Sequence, residues 1–126
     1  MNKLKIFSKY WLPVILWAGV IFYFSSIPHL QIEALGVWDI ILRKIAHATE
    51  YGVLAFLALR LGLRENKKGT VTLVTVIIFC ALYAWSDEWH QSFVEGRTFA
   101  VWDIAIDSLG ASVFALLYYR NKKQPK

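Results

Sequence analysis

The chain has 126 residues, 57% of them hydrophobic, 16% aromatic and only 18% charged, a balance too apolar for a water-soluble domain of this length. Its formal charge of +5 is dispersed in short groups between apolar runs and forms no stripe of basic and polar readers, which argues against nucleic acid as a partner. Lipid is the solvent implied, and at about 20 residues per span four helices nearly use up the chain. Residues 1–126 are therefore read as one membrane domain, and Cys80, the only cysteine, leaves no intramolecular disulfide and no thiolate metal knuckle.

The first apolar run, Trp11 to Ile27, follows Lys3, Lys5 and Lys9, the charge order of a first span or of a signal sequence. No small-x-small cleavage site comes next. Ser25, Ser26, Ile27 and Pro28 do, so the reading is an uncleaved signal-anchor helix over about residues 10–27 that ends near the proline. Pro13 lies in its first turns, where proline is tolerated. Its aromatic residues Trp17, Phe22, Tyr23 and Phe24 are read as lipid-facing or packing, and His29, in the connection that follows, is given no role.

A second helix is predicted over about 40–63, with many polar groups in its outer turns. Arg64 to Gly69 is a polar turn, and a β-branched, strongly apolar third span follows over about 70–90. It is helical, because lipid demands internally satisfied backbone groups and the run is too long for one strand. After a connection from Gln91 to Val101, a fourth helix covers about 102–119 before the basic tail Arg120 to Lys126. The predicted fold is all-α, an integral membrane bundle of four transmembrane helices. Trp11, Trp38, Trp89, Trp102, Tyr118 and Tyr119 fall near helix ends, as interfacial aromatics do.

Cytoplasmic segments retain Lys and Arg. One side of this bundle holds Lys3, Lys5, Lys9, Arg60, Arg64, Lys67, Lys68, Arg120, Lys122, Lys123 and Lys126; the other holds only Arg43, Lys44 and Arg97. Both termini are expected in the cytoplasm of a multi-pass cell-membrane protein. Acids show the opposite bias: Glu33, Asp39, Glu50, Asp87, Glu88, Glu95, Asp103 and Asp107 map to the outer half and only Glu65 to the inner. Insertion rules do not require that asymmetry, so it points to a site.

Helical spacing sorts the candidates. Lys44, His47 and Tyr51 stand at i, i+3 and i+7 on one sector of the second helix, with Glu50 at its border. Asp87 and Gln91 are i, i+4 neighbours on the third, flanked by Glu88. Asp103 and Asp107 are i, i+4 on the fourth, with Gly110 next on the stripe, where a missing side chain lets a backbone or ligand come close. At about 1.5 Å rise per residue these groups reach on the order of 5 to 10 Å below the outer interface, where an isolated charge is costly. If all were ionised, Glu50, Asp87, Glu88, Asp103 and Asp107 would outnumber Arg43, Lys44 and Arg97. A protonated carboxyl, a bound divalent cation or a cationic group on a ligand would each absorb the excess, so a cation is an option and not a requirement. An internal echo, Val37-Trp38-Asp39-Ile40 and Val101-Trp102-Asp103-Ile104, opens the second and fourth helices alike.

Lys44, His47, Tyr51, Asp87, Glu88, Gln91, Phe93, Arg97, Asp103 and Gly110, with Ser25, Ser26 and Pro28 after the first helix, resemble the VanZ-like family, small bacterial membrane proteins associated with teicoplanin resistance. The resemblance covers nearly the whole chain, and its most specific part is Asp-Glu-x-x-Gln-x-Phe-x-x-x-Arg continuing to Asp103 and Gly110. It implies a role in the cell envelope and names no biochemical mechanism. It also makes Arg97 a clamp for an anionic group of a lipid or peptide headgroup, against the plainer reading of a solvent pair with Glu95. In one departure, the family commonly has an asparagine four residues after the aspartate, and this chain has Asp107, an acid in place of a neutral donor unless it is protonated.

The site expected is an outward-facing polar pocket built by Lys44, His47, Glu50, Tyr51, Asp87, Glu88, Gln91, Arg97, Asp103 and Asp107, binding or acting on a cell-wall precursor, a lipid headgroup or a glycopeptide. His47 is open between a proton carrier or metal ligand and a polar residue bridging helices; His90 is read as interfacial, and at least one of Arg43 and Lys44 as snorkelling, with Lys44, on the His47 face, favoured for the site. An intramembrane carboxylate- or metal-dependent enzyme on a lipid-linked substrate is the alternative, although no paired-histidine zinc motif, nucleophile elbow or P-loop names a reaction. A small proton- or cation-coupled transporter ranks third, because Val53 to Leu59 and Val71 to Phe79 offer no ionisable residue to complete a path.

Overall fold

The structure is a computed structural model and describes residues 2–27, 33–65, 68–97 and 99–123. Pro28, His29, Asn66, Lys67 and the last residues of the basic tail, on which parts of the sequence reading fall, lie outside the described residues. Within these, the chain forms four long helices: α1 (Lys3–Ser25), α2 (Val37–Glu65), α3 (Gly69–Gln91) and α4 (Val101–Lys123). α1, α3 and α4 are long and apolar enough to cross a membrane. α2 is the longest at 29 residues, and Arg43, Lys44, His47, Glu50 and Arg60 along it dilute its hydropathy.

α1 begins well before the expected residue 10, because the Asn2 side chain accepts the Lys5 N–H at 2.9 Å and caps the lysine-rich first turn. Between Phe7 and Trp11 the helix widens into a π turn. Pro13 causes part of this: it has no N–H to offer the Lys9 carbonyl four residues back and its ring crowds that carbonyl. The Arg60 guanidinium of α2 donates to the stranded Lys9 oxygen instead. At the other end Ser26 Oγ donates to the Phe22 carbonyl at 2.8 Å, a second donor beside the Ser26 N–H at 3.1 Å.

Gly36, at φ +58°, makes the left-handed step that starts α2 at Val37. α2 is the centre of the bundle. It packs chiefly on α4, which also lies against α3, and its inward face carries Tyr51, Leu54, Ala55 and Leu59 against Val76, Cys80 and Ala84 of α3 and Ala111 and Ala115 of α4. Small residues let these helices approach: a Cβ at Gly110 would overlap the Ala48 carbonyl, and one at Gly52 would enter the Phe114 ring. α1 is peripheral, joined by Ile21 in the core, by Trp17 Nε1 donating to the Glu50 carbonyl at 2.8 Å and by Tyr83 Oη donating to the Ala18 carbonyl at 2.6 Å.

Most apolar surface points outward. Leu16, Phe22, Ile78, Leu82, Leu109 and Leu117 are exposed, and in the most apolar stretches of α1, α3 and α4 only 6%, 28% and 17% of residues are buried. A soluble bundle would hide such side chains, whereas lipid covers them here.

Candidate functional site

Helices that alternate in direction bring the end of α1, the start of α2, the end of α3 and the start of α4 together at one pole of the bundle. A cavity of about 180 Å³ opens there, lined by Phe24, Ile40, Arg43, Lys44, Ala46, His47, Glu50, Glu88, Gln91, Arg97, Asp103, Ile106 and Asp107. Of the residues expected at the site, Lys44, His47, Glu50, Glu88, Gln91, Arg97, Asp103 and Asp107 line this space. Tyr51 and Asp87 are buried in its wall, where Tyr51 Oη donates to Asp87 Oδ2 at 3.1 Å.

The charged groups divide into an outer and an inner set. At the rim Lys44 Nζ pairs with Asp103 across the α2–α4 contact, and Arg43 Nε pairs with Asp39 Oδ2 at 3.0 Å on its own helix. The second pair differs from the sequence reading, which set Arg43 against the acidic cluster. The residue that diverts it, Asp39, is the counterpart of Asp103 in the repeated Val-Trp-Asp-Ile segment. Both aspartates occupy the first turn of their helices, and their N–H groups donate to Gly36 and Ala100 at 3.1 Å.

Deeper, His47 Nδ1 lies 3.4 Å from Asp107 Oδ2, and one ligand-capable atom from each of His47, Asp87 and Asp107 falls within 4.8 Å of the others. No lysine or arginine among the described residues pairs with Asp87, Asp107 or Glu50. Glu88 is held by neutral groups: its Oε2 accepts the Ala100 N–H at 3.2 Å. With the Gln91 amide oriented to suit both neighbours, its nitrogen donates to Glu88 Oε1 at 3.1 Å and its oxygen accepts from Arg97 Nη1 at 2.9 Å.

Arg97 has a role that its sequence context conceals. Nε donates to the Ile27 carbonyl at 3.1 Å and Nη2 to the Phe24 carbonyl at 3.3 Å, so the guanidinium caps the C-terminal end of α1, where the helix dipole favours a cation. Burial, and then the charge of Arg43, lower its pKa from the ordinary arginine range, and the nearby carboxylates oppose that shift. Two of its five N–H groups remain for the cavity. His90 stands apart from the cluster, stacked on Phe22 at 4.3 Å between ring centres.

Trp17, Tyr83 and the α1 carbonyls also support the site and were not among the residues expected there. The open carbonyls of a helix that stops at Ser25-Ser26 were the available signal, since they require donors from elsewhere.

A helical bundle with three membrane-compatible helices and a polar pocket at one pole defines an integral membrane protein with a one-ended site. The family model described as VanZ/LLP1 matches residues 10–122, and the chain belongs to that family. No curated protein and no solved structure matches the chain.

Proposed function

We propose that the protein spans the cell membrane with all four helices, keeps both termini in the cytoplasm, and uses the polar cavity at its outer face to bind the phosphate-bearing headgroup of an envelope lipid or lipid-linked cell-wall precursor. The observation that carries this reading is the mixed lining of the cavity. Phe24, Ile40, Ala46 and Ile106 supply apolar walls suited to the first carbons of a lipid chain, and Arg43, Lys44 and Arg97 share the space with the acids. The side chains of Arg43 and Lys44 are 39% and 42% exposed, so an anionic group can reach them. Asp103, which holds Lys44, is itself partly exposed, and a cation in such a pair exchanges its partner at small cost.

Orientation rests on the distribution of Lys and Arg, and the length of α2 makes it a span despite its polar outer turns. A cavity confined to one pole serves capture of a headgroup at one surface and leaves a transport path incomplete. Membership of the VanZ/LLP1 family and the resemblance to proteins associated with teicoplanin resistance direct the proposal to the envelope.

The test is native mass spectrometry of the protein released from membranes in mild detergent. The wild type is expected to retain a phosphate-bearing lipid above its abundance in the bulk extract, with several-fold less on Arg43→Ala/Lys44→Ala. A lipid complement equal to the bulk membrane would sink the proposal. Teicoplanin susceptibility of cells carrying equal amounts of the two proteins then links the pocket to envelope protection, expected for the wild type and lost in the double variant.

A further inference from the structure

His47 of α2, Asp87 of α3 and Asp107 of α4 come from three different helices, and each brings one ligand-capable atom within 4.8 Å of the other two. Asp107 is 1% exposed and Asp87 4%. Asp107 Oδ1 and Asp87 Oδ1 have no hydrogen-bond partner among the described residues, and Asp107 Oδ2 and His47 Nδ1 meet only each other, at 3.4 Å. Buried carboxylate oxygens without donors are costly, yet the surrounding fold supplies a donor where one is used: Tyr51 Oη serves Asp87 Oδ2 and leaves Oδ1 open. Unmet acceptors that converge from separate helices call for a positive centre between them.

We propose that His47, Asp87 and Asp107 form a binding site for a divalent transition-metal ion of the zinc and manganese class. One imidazole and two carboxylates suit such an ion, whereas calcium takes six to eight oxygens and magnesium keeps much of its water. The 3.4 Å between His47 Nδ1 and Asp107 Oδ2 is close to the edge of about 3.3 Å between ligands in a tetrahedron with metal–ligand bonds of about 2.0–2.1 Å. Small carboxylate rotations bring in the third ligand. Tyr51 is the supporting residue: its hydrogen bond orients Asp87, as outer partners of metal ligands do. His47 and Asp107 also line the cavity, so the remaining coordination position faces it, and the ion would supply Lewis acidity beside a bound headgroup. The site stands independently of what enters the cavity.

The experiment uses the full chain in detergent, stripped of metal and offered Zn²⁺ or Co²⁺ alone. The wild type is expected to retain about one Zn²⁺ per chain after removal of free metal, and its Co²⁺ form to show the intense visible bands of a low-symmetry, four- or five-coordinate site. Asp107→Asn and His47→Gln should each lose at least tenfold in affinity. Tyr51→Phe should lose about 10- to 100-fold while its Co²⁺ bands persist at saturation. Thermal melting of the metal-free proteins checks folding, and Asp107→Asn should melt no lower than the wild type because it removes a buried charge. Zn²⁺ retention by the wild type no greater than by Asp107→Asn, or Co²⁺ that keeps the pale spectrum of the hydrated ion, would overturn the proposal and assign the cluster to a shared proton. With the metal as the only probe, failure here is distinguishable from failure of headgroup binding.

Discussion

A methyl group at Gly110 would overlap the carbonyl of Ala48, so the crossing of α2 and α4 depends on the absence of one carbon. That crossing also sets the spacing of His47 and Lys44 from Asp107 and Asp103, one and two turns from Gly110. Gly110→Ala is expected to destabilise the protein by about 1–3 kcal/mol, the usual cost of overfilling a packed contact. It should lower the thermal midpoint in detergent and weaken any binding that needs both helices; an unchanged midpoint would mean that the helices part freely. The acidic stripe and its glycine were legible in the sequence because i, i+4 spacing fixes a helix face. The facing residue, Ala48, was not, since periodicity orients a helix without saying what lies opposite. Of the two neighbouring cations, Arg43 is claimed locally by Asp39, an acid four residues earlier, and Lys44, favoured for the site because it shares the His47 face, is the one that pairs across helices.

At the scale of elements, α1 shows how a helix with little buried surface is held in place. Each of its polar attachments uses a backbone group: Trp17 reaches the Glu50 carbonyl, Tyr83 the Ala18 carbonyl, Arg60 the Lys9 carbonyl and Arg97 the carbonyls of Phe24 and Ile27. The span itself could be read from its apolar run, and its extension back to Lys3 could not, because charged residues ahead of that run resemble a tail until a cap such as Asn2 is seen in place. Arg97→Ala leaves the end of α1 without its donors and is expected to cost about 1.5–3 kcal/mol, the range for hydrogen bonds from a charged group. Arg97→Lys should recover only part of this, since an ammonium cannot span two carbonyls and the Gln91 amide as the planar fork does. Hydrogen exchange should show faster exchange at the last turn of α1 in both variants. Full recovery by lysine would reduce the role of Arg97 to charge alone.

For the whole molecule the polarity of the bundle is the property from which function follows. The cavity and its acids occupy one pole, and Lys3, Lys5, Arg60, Arg64, Lys68, Arg120, Lys122 and Lys123 occupy the other. There Arg60 and Arg64 also lie over the Tyr10 ring, at 4.9 and 5.3 Å from its centre. Positive charge flanking spans stays on the cytoplasmic side, and the proposal that the site faces outward rests on this. Single cysteines and a membrane-impermeant maleimide can decide this. Glu95 is exposed in the connection beside the site, and Lys122 is exposed near the end of α4. The native Cys80 is buried and can be replaced by alanine to remove background. In intact cells Glu95→Cys is expected to react and Lys122→Cys to react only after the membrane is opened. The reverse pattern would place the cavity in the cytoplasm and exclude an external headgroup as its ligand. Labelling of both in intact cells would mean that α4, which separates the two positions, does not cross the bilayer.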